Sequence, residues 1–152
     1  MEFKFISHSL EDTKKLALEI SKYAFRGMVI SLDGDLGAGK TTFTKSFAKG
    51  LDIIEDVSSP TFNILKCYFK GKMPLYHIDA YRLEDGINVD IGLEEVIEGD
   101  GVCIIEWGVF ISSLIFAPLN IKIEIIDQNT RVFTFSSKYE KYDEIIKSVM
   151  EL

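Results

Sequence analysis

The chain has 152 residues, a length that suits one compact domain and is too short for two ordinary ones. Apolar residues make up 47% of it and charged residues 27%, a balance that is typical of a folded protein and excludes a disordered one. The net charge of −7, without a cluster of Lys and Arg, argues against direct binding to DNA or RNA, because such proteins draw much of their affinity from neutralising phosphates.

The first third of the chain is predicted to form a helix, a strand and a second helix. Ser9 can cap a helix that runs to about Phe25, with apolar residues at helical spacing. Met28 to Leu32 is typical of a short buried strand, and Lys40 to about Leu51 returns to helical periodicity. A glycine-rich turn, Asp33 to Gly39, joins the strand to the second helix.

This turn carries the strongest motif in the chain. Gly34 to Thr41 satisfies the pattern G-x-x-x-x-G-K-[ST], which is typical of loops that bind nucleotide phosphates. Glycines allow positive φ, so that successive backbone N–H groups can turn towards an anion, and the following helix adds its positive dipole end. Lys40 is predicted to reach the β- and γ-phosphates and Thr41 to ligate Mg²⁺. The predicted nucleotide-binding residues are Asp35, Leu36, Gly37, Ala38, Gly39, Lys40, Thr41 and Thr42.

The rest of the chain is predicted to alternate short strands with helices. Phe62 to Phe69 and Pro74 to Asp79 indicate a hairpin, Ile87 to Glu98 a short helix, and Val102 to Ile105 another buried strand. Further hairpin strands and a terminal helix are predicted over Ile121 to Ile125, Arg131 to Phe135 and Tyr139 to Met150.

Two carboxylates follow buried strands and are candidates for the metal site. Asp79 ends one strand and Glu106 the other, and a phosphate-binding loop of this kind needs a carboxylate beside its metal. One could hold Mg²⁺ while the other orients or deprotonates the attacking water, and the sequence leaves open which does which. The alternative interpretation is that either is an exposed carboxylate at a strand end. With Lys40, these two residues are the predicted catalytic set.

Other residues allow two interpretations each. Ser59 and Thr61 flank a rigid proline and suit either a loop that senses the γ-phosphate or an ordinary turn. Trp107 is either a packing residue or one that stacks on a ligand or partner. His77 lies within a strand and is interpreted as a structural histidine. Cys67 and Cys103 are expected to be buried thiols in a reducing compartment.

The N-terminal segment lacks the apolar core of a secretory signal, and no run is long enough to span a membrane, so a cytoplasmic location is expected.

The glycine-rich motif does not by itself choose among ATPases, small-molecule kinases and nucleotide-controlled binding modules. Kinases clamp a second substrate with several basic residues, and this chain has only Arg26, Arg82 and Arg131 as arginines. No N-K-x-D segment for guanine occurs.

Four blocks in series resemble the TsaE family, ATPases of bacterial tRNA threonylcarbamoyladenosine biosynthesis. They are Asp33 to Phe43, Ser59 to Phe62, Tyr76 to Leu83 and Ile105 to Trp107, and the resemblance covers about residues 5 to 110. It implies a single α/β domain over 1–152 with a P-loop NTPase-like fold, in which helices flank a mixed parallel and antiparallel sheet.

The resemblance also implies a function. The protein would bind ATP and Mg²⁺ and act with the TsaD and TsaB proteins, which modify the adenosine next to the anticodon, so that it meets tRNA only through these partners. By matching position, Asp79 takes the Walker B place, Glu106 a second acidic place and Trp107 a functional aromatic place. Gly108 stands where the family usually has proline, which we expect to loosen that loop. Residues 109 to 152 carry no motif that can be matched.

Overall fold

The computed structural model describes residues 1–58, 60, 64–83 and 92–152. Within this part of the chain, seven strands form one sheet with helices packed on it. The elements are β1 (Glu2–Ser7), α1 (Leu10–Ser21), β2 (Val29–Gly34), α2 (Lys40–Gly50), β3 (Leu65–Tyr68), β4 (Leu75–Asp79), α3 (Leu93–Ile97), β5 (Val102–Glu106), β6 (Leu119–Ile125), β7 (Arg131–Ser136) and α4 (Asp143–Met150). Three short 3₁₀ segments join them, Tyr81–Leu83, Gly108–Leu114 and Glu140–Tyr142.

The strand order is β1-β7-β6-β2-β5-β4-β3. The four central strands, β6, β2, β5 and β4, pair in parallel, whereas β3 pairs antiparallel at one edge and β7 and β1 at the other. The carboxyl ends of parallel strands meet at one edge of a sheet, which is where ligands bind in open α/β folds. The predicted α/β fold with a mixed sheet is confirmed.

The sheet separates two hydrophobic clusters because successive strand residues point to opposite faces. In β5, Val102 and Ile104 belong to the larger cluster, and Cys103 and Ile105 belong to the smaller one. The larger cluster also contains the buried faces of α1, α2 and α4, and the smaller one contains the buried residues of α3. Every residue of β5 is buried, which explains the apolar run from Val102 to Ile105 that precedes Glu106.

Most predicted elements are present at nearly the predicted positions. Ser9 caps α1, where its side chain accepts a hydrogen bond from the N–H of Asp12. Both predicted hairpins form, as β3 with β4 and as β6 with β7. The predicted helix from Ile87 lies partly outside the described residues, and α3 is its described part. No strand is predicted before Ser9, yet β1 pairs with β7 along its whole length.

Among the described helices, none is long and apolar enough to cross a membrane.

The two cysteines differ in exposure. Cys103 is buried in β5 as predicted, but the prediction is wrong for Cys67, which is exposed because β3 is a short edge strand. Burial raises the pKa of Cys103 to about 12, so its thiol is protonated at neutral pH. Only thiolates react rapidly with disulfide reagents.

We therefore expect one thiol per native chain to react with Ellman's reagent, and two after unfolding in guanidinium chloride. Partial burial also raises the pKa of Cys67, so its reaction should become faster as the pH rises above 8. A Cys67→Ser variant should lose the native signal. Rapid reaction of two thiols in the folded protein would contradict the burial of Cys103.

Candidate active site

The glycine-rich loop joins the carboxyl end of β2 to the start of α2. Gly37 and Gly39 have φ values of 81° and 110°, in the left-handed region that residues with a Cβ rarely adopt. No heavy atom lies within 4 Å of the place where either Cβ would stand, so the backbone conformation, and not crowding, requires glycine. The N–H of Ala38 donates to the carbonyl of Asp35 at 3.0 Å and closes a tight turn.

The N-terminus of α2 is open to a ligand. Its capping residue is Gly39, which has no side chain to accept the free N–H groups of the first turn. Thr41 and Thr42 lie in this turn and are partly exposed. Unsatisfied N–H groups and the positive dipole end make such a terminus a site for anions, phosphates above all.

Lys40 lies at the centre of the site with only 8% of its surface exposed. Its Nζ donates to the carbonyl oxygen of Gly34 at 2.5 Å and lies 3.9 Å from Oε1 of Glu106. The same ammonium stands 4.6 Å from the ring centroid of Trp107, a cation–π distance. Buried ammonium groups need such partners because desolvation is costly. The loop thus holds a positive charge at the place where phosphate oxygens would arrive.

The two predicted carboxylates are neighbours. Asp79 at the end of β4 and Glu106 at the end of β5 face each other in the parallel register. Glu106 is only 4% exposed, whereas Asp79 is partly exposed and its Oδ1 accepts a hydrogen bond from the N–H of Tyr81 at 3.0 Å. Within the described residues, the Tyr81 N–H bonds to Oδ1 of Asp79, and His77 bonds to Oε2 of Glu106. The second oxygen of each carboxylate, Oδ2 of Asp79 and Oε1 of Glu106, is therefore suitable for contact with a ligand or water.

His77 is closer to the chemistry than its sequence position indicated. Its Nε2 lies 2.6 Å from Oε2 of Glu106, and both side chains are buried. Its Nδ1 is buried with no hydrogen-bond partner among the described residues. An orphaned buried N–H is rarer than an orphaned acceptor, so the favoured arrangement is the one in which Nε2–H of His77 donates to Oε2 of Glu106. His77 is structural, as predicted, and it also fixes the orientation of a predicted catalytic carboxylate.

Replacing His77 with alanine is expected to lower the free energy of unfolding by about 1–3 kcal/mol, because it leaves a buried carboxylate without its donor. His77→Gln should recover part of this loss, since its amide N–H₂ can still donate to Glu106. Urea unfolding followed by tryptophan fluorescence measures the change. Equal stability of wild type and His77→Ala would show that the contact contributes nothing.

An aromatic group borders the site. Trp107 stacks on Phe110, with centroids 5.6 Å apart and an interplanar angle of 6°, and meets Tyr81 edge-on at 5.2 Å. Trp107 itself has a φ of 58°, which is uncommon for a residue with a Cβ and is typical of functional sites. Gly108 is buried against Ser31, whose Oγ would lie 2.2 Å from an added Cβ. A residue with a Cβ at this position would therefore require the Ser31 side chain to move.

Asp33, the residue before the loop, is a further acidic group that the sequence argument gave no role. Burial raises the pKa of its carboxyl, and the charge of Lys40 and hydrogen bonds from Ser31 and the Gly108 backbone oppose this rise. Its Oδ1 is buried with no hydrogen-bond partner among the described residues. Asp33 thus connects the end of β2 with the segment that follows Glu106.

The glycine-rich loop, Lys40, the two carboxylates and Trp107 line one cleft of about 870 Å³, a volume that suits a small-molecule ligand. The lining residues are Asp35, Leu36, Gly37, Gly39, Lys40, Thr41, Thr42, Asp79, Tyr81, Arg82, Glu106 and Trp107. Ala38, within the loop, is buried and does not line the cleft. Tyr81 and Arg82 line the cleft in addition to the predicted residues. Ser59 and Thr61 lie outside the described residues, so their predicted role stays a prediction.

A second cleft of similar volume, about 880 Å³, lies between α1, α2 and the segment after α2. Its lining includes both positive and negative side chains, namely Glu11, Lys14, Lys15, Lys45, Lys49, Asp52, Glu55 and Asp56. Volume therefore does not distinguish the two clefts. The convergence of a glycine-rich loop, a buried lysine and two carboxylates identifies the first as the candidate active site.

The described residues contain no group of three or more His, Cys, Asp or Glu side chains that could hold a metal ion by themselves. Mg²⁺ is usually bound by only one or two carboxylates together with substrate phosphates and water. Thr41, Asp79 and Glu106 provide the hydroxyl and carboxylate oxygens that such an ion prefers, and all three line the cleft.

Comparison with known proteins identifies the family of this chain. A family model described as threonylcarbamoyl adenosine biosynthesis protein TsaE matches residues 7–134. The tRNA threonylcarbamoyladenosine biosynthesis protein TsaE of Bacillus subtilis is 44% identical over 143 residues, which cover 93% of this chain and 90% of that protein. The protein of the same name from Treponema pallidum is 44% identical over 111 residues, covering 71% and 80%.

A solved structure also matches the fold of this chain. The crystal structure of YdiB from Bacillus subtilis superposes with a TM-score of 0.86 and 37% sequence identity, and the match covers 99% of this chain and 95% of that one. Since the family model and the relatives extend over most of the sequence, the chain belongs to the TsaE family.

Proposed function

We propose that this protein binds ATP with Mg²⁺ in the cleft and hydrolyses it, as the ATPase of bacterial tRNA threonylcarbamoyladenosine biosynthesis. The observation that carries the proposal is the meeting of Lys40, at the start of α2, with the paired ends of β4 and β5 in one cleft. The family supports the biosynthetic role, because the curated relatives bear that process in their names.

The phosphates are the part of ATP that the cleft suits best. Backbone N–H groups of the loop and the uncapped start of α2 offer donors to the β- and γ-phosphates. On binding, Lys40 Nζ would donate to phosphate oxygens in place of the Gly34 carbonyl oxygen. The buried surroundings strengthen each of these interactions relative to water.

Hydrolysis requires a water molecule placed in line with the γ-phosphate. Glu106 is held on one side by His77, so its Oε1 is the oxygen able to orient or deprotonate that water. Thr41 and Asp79 would hold Mg²⁺, which when bound neutralises charge on the phosphates. Lys40 supports the charge that develops on the transferred group.

Asp79→Asn is expected to raise the Mg²⁺ concentration that gives half-maximal ATPase activity by about tenfold, because an amide is a weaker ligand than a carboxylate for a hard cation. Binding of ATP in excess EDTA should be unchanged. A Mg²⁺ titration of phosphate release, with wild type and Asp79→Asn side by side, measures the shift. An unchanged titration curve would remove Asp79 from the metal site.

We further propose that TsaD and TsaB are the partners and that tRNA is held by them. The net charge of −7 supports this division, since an acidic protein is a poor direct ligand for tRNA. The aromatic group formed by Tyr81, Trp107 and Phe110 borders the cleft, so a partner seated there could sense the bound nucleotide.

The test is phosphate release from ATP by the protein alone, and then after mixing with TsaD and TsaB from the same source. Slow release alone and clear stimulation by the pair would support a partner-dependent ATPase. A rate that the pair does not change, in a mixture shown to be folded, would overturn the partner assignment. Transfer of phosphate to a small molecule instead of water would replace the ATPase proposal by a kinase.

A further inference from the structure

Arg131, at the first position of β7, reaches the glycine-rich loop from the C-terminal third of the chain. Its Nε donates to the carbonyl oxygen of Ala38 at 3.2 Å, and its Nη2 donates to the carbonyl oxygen of Gly37 at 3.4 Å. Arg131 is not among the residues that line the cleft, so it contacts the loop from behind. Two successive carbonyls of the loop therefore share one guanidinium group.

The same guanidinium is anchored in the turn between β6 and β7. Its Nη1 donates to the carbonyl oxygens of Asp127, Gln128 and Thr130, at 2.6, 3.4 and 3.1 Å. The turn is itself fixed by the carboxylate of Asp127, whose Oδ1 accepts from the N–H groups of Asn129 and Thr130 at 2.9 Å each. These hydrogen bonds lower the pKa of Asp127, so the turn keeps its charged acceptor at neutral pH.

The contact with Ala38 determines how the loop presents its donors. In a trans peptide the C=O and N–H groups point in opposite directions, and the described residues contain no cis peptide bond. A carbonyl of Ala38 held towards Arg131 therefore turns the N–H of Gly39 away from Arg131. Gly39 lines the cleft, so an N–H turned away from Arg131 would be available to a phosphate bound there.

We propose that Arg131 is a positioning residue that holds the glycine-rich loop in its phosphate-binding conformation before the nucleotide arrives. The glycines of the loop have the freedom to turn their peptides either way, and this freedom would have to be lost on binding. A rigid, doubly anchored guanidinium removes it in advance. The inference rests on the proposed function, because it assigns Arg131 to the binding of ATP.

The test compares Arg131→Ala and Arg131→Lys with wild type, using titration with Mg²⁺-ATP and thermal unfolding. Loss of hydrogen bonds from a charged donor should weaken ATP binding by about tenfold in Arg131→Ala. Lysine keeps the positive charge but lacks the planar guanidinium group. The ATP affinity of Arg131→Lys should therefore lie between those of wild type and Arg131→Ala. The loop contacts the phosphates both in the bound ATP and in the transition state of hydrolysis. Loss of Arg131 should therefore raise KM more than it lowers kcat.

Arg26→Ala is the matched control. It removes the same charge and a hydrogen bond from Arg26 Nη1 to the carbonyl of Asp100 at 3.2 Å, but Asp100 precedes β5 and lies at the end away from the cleft. Wild-type ATP affinity in a folded Arg131→Ala protein would overturn the positioning role. A lowered melting temperature of Arg131→Ala with an unchanged KM for ATP would also overturn the positioning role. Failure of wild type itself to bind ATP would instead contradict the proposed function.

Discussion

Lys40→Ala is expected to weaken ATP binding by about a hundredfold or more. Hydrogen bonds between charged groups contribute about 1.5–3 kcal/mol each, and the ammonium group is expected to reach both the β- and γ-phosphates. Two such bonds correspond to two or more orders of magnitude in the dissociation constant. The buried position of Lys40 makes the loss larger, because water cannot easily replace the ammonium there.

Titration of each variant with Mg²⁺-ATP, followed by calorimetry, measures this effect. Lys45→Ala is a suitable control, since Lys45 lies on the same helix, is exposed and lines the other cleft. It should bind ATP like wild type. Thermal unfolding must accompany the titration, because Lys40 also contacts Gly34 and Glu106. Unchanged affinity in folded Lys40→Ala would remove the assignment of the glycine-rich loop to phosphate binding.

Glu106→Gln is expected to reduce hydrolysis by about a hundredfold to ten-thousandfold, the usual contribution of a general base. The amide keeps the volume of the carboxyl group, and its oxygen can still accept from His77 Nε2, so the site should stay folded. ATP affinity should change by less than about tenfold, because the phosphates are held chiefly by the loop and Lys40.

Single-turnover phosphate release, measured at saturating ATP, separates the chemical step from binding. Glu124→Gln is the control, because Glu124 is an exposed carboxylate on β6 that does not line the cleft. It should hydrolyse ATP at the wild-type rate. If Glu106→Gln turned over as fast as this control, Glu106 would have no catalytic role, and Asp79 would be the remaining candidate base.

Much of the fold could be predicted because its signals are local. Gly34 to Thr41 combines a fixed glycine spacing with a buried strand before it and an amphipathic helix after it, and the structure has that order. Asp79 and Glu106 were found because each ends an apolar run, and parallel pairing of those runs makes them neighbours. Both hairpins were predicted from pairs of strand-like runs that flank turn residues.

The parts that were missed depend on contacts between distant residues. β1 is short and carries charged residues, and only pairing with β7 at the other end of the chain makes it a strand. The role of Arg131 had no local signal, because its acceptors are backbone carbonyls that any sequence provides. The environment of Cys67 depends on its place in an edge strand, and strand order is not readable from residue spacing.

The strand order also has a consequence for how the chain folds during synthesis. β2, which carries the glycine-rich loop, lies between β5 and β6, and both are made long after it leaves the ribosome. Until β5 and β6 have been made, the backbone hydrogen-bonding groups of β2 lack their native partners. Pairing with β6 must also close a loop that includes most of the sequence. Nascent chains that end before β6 should therefore be exposed to aggregation and dependent on chaperones. The residues that line the cleft can therefore come together only after β5 and Trp107 have been made.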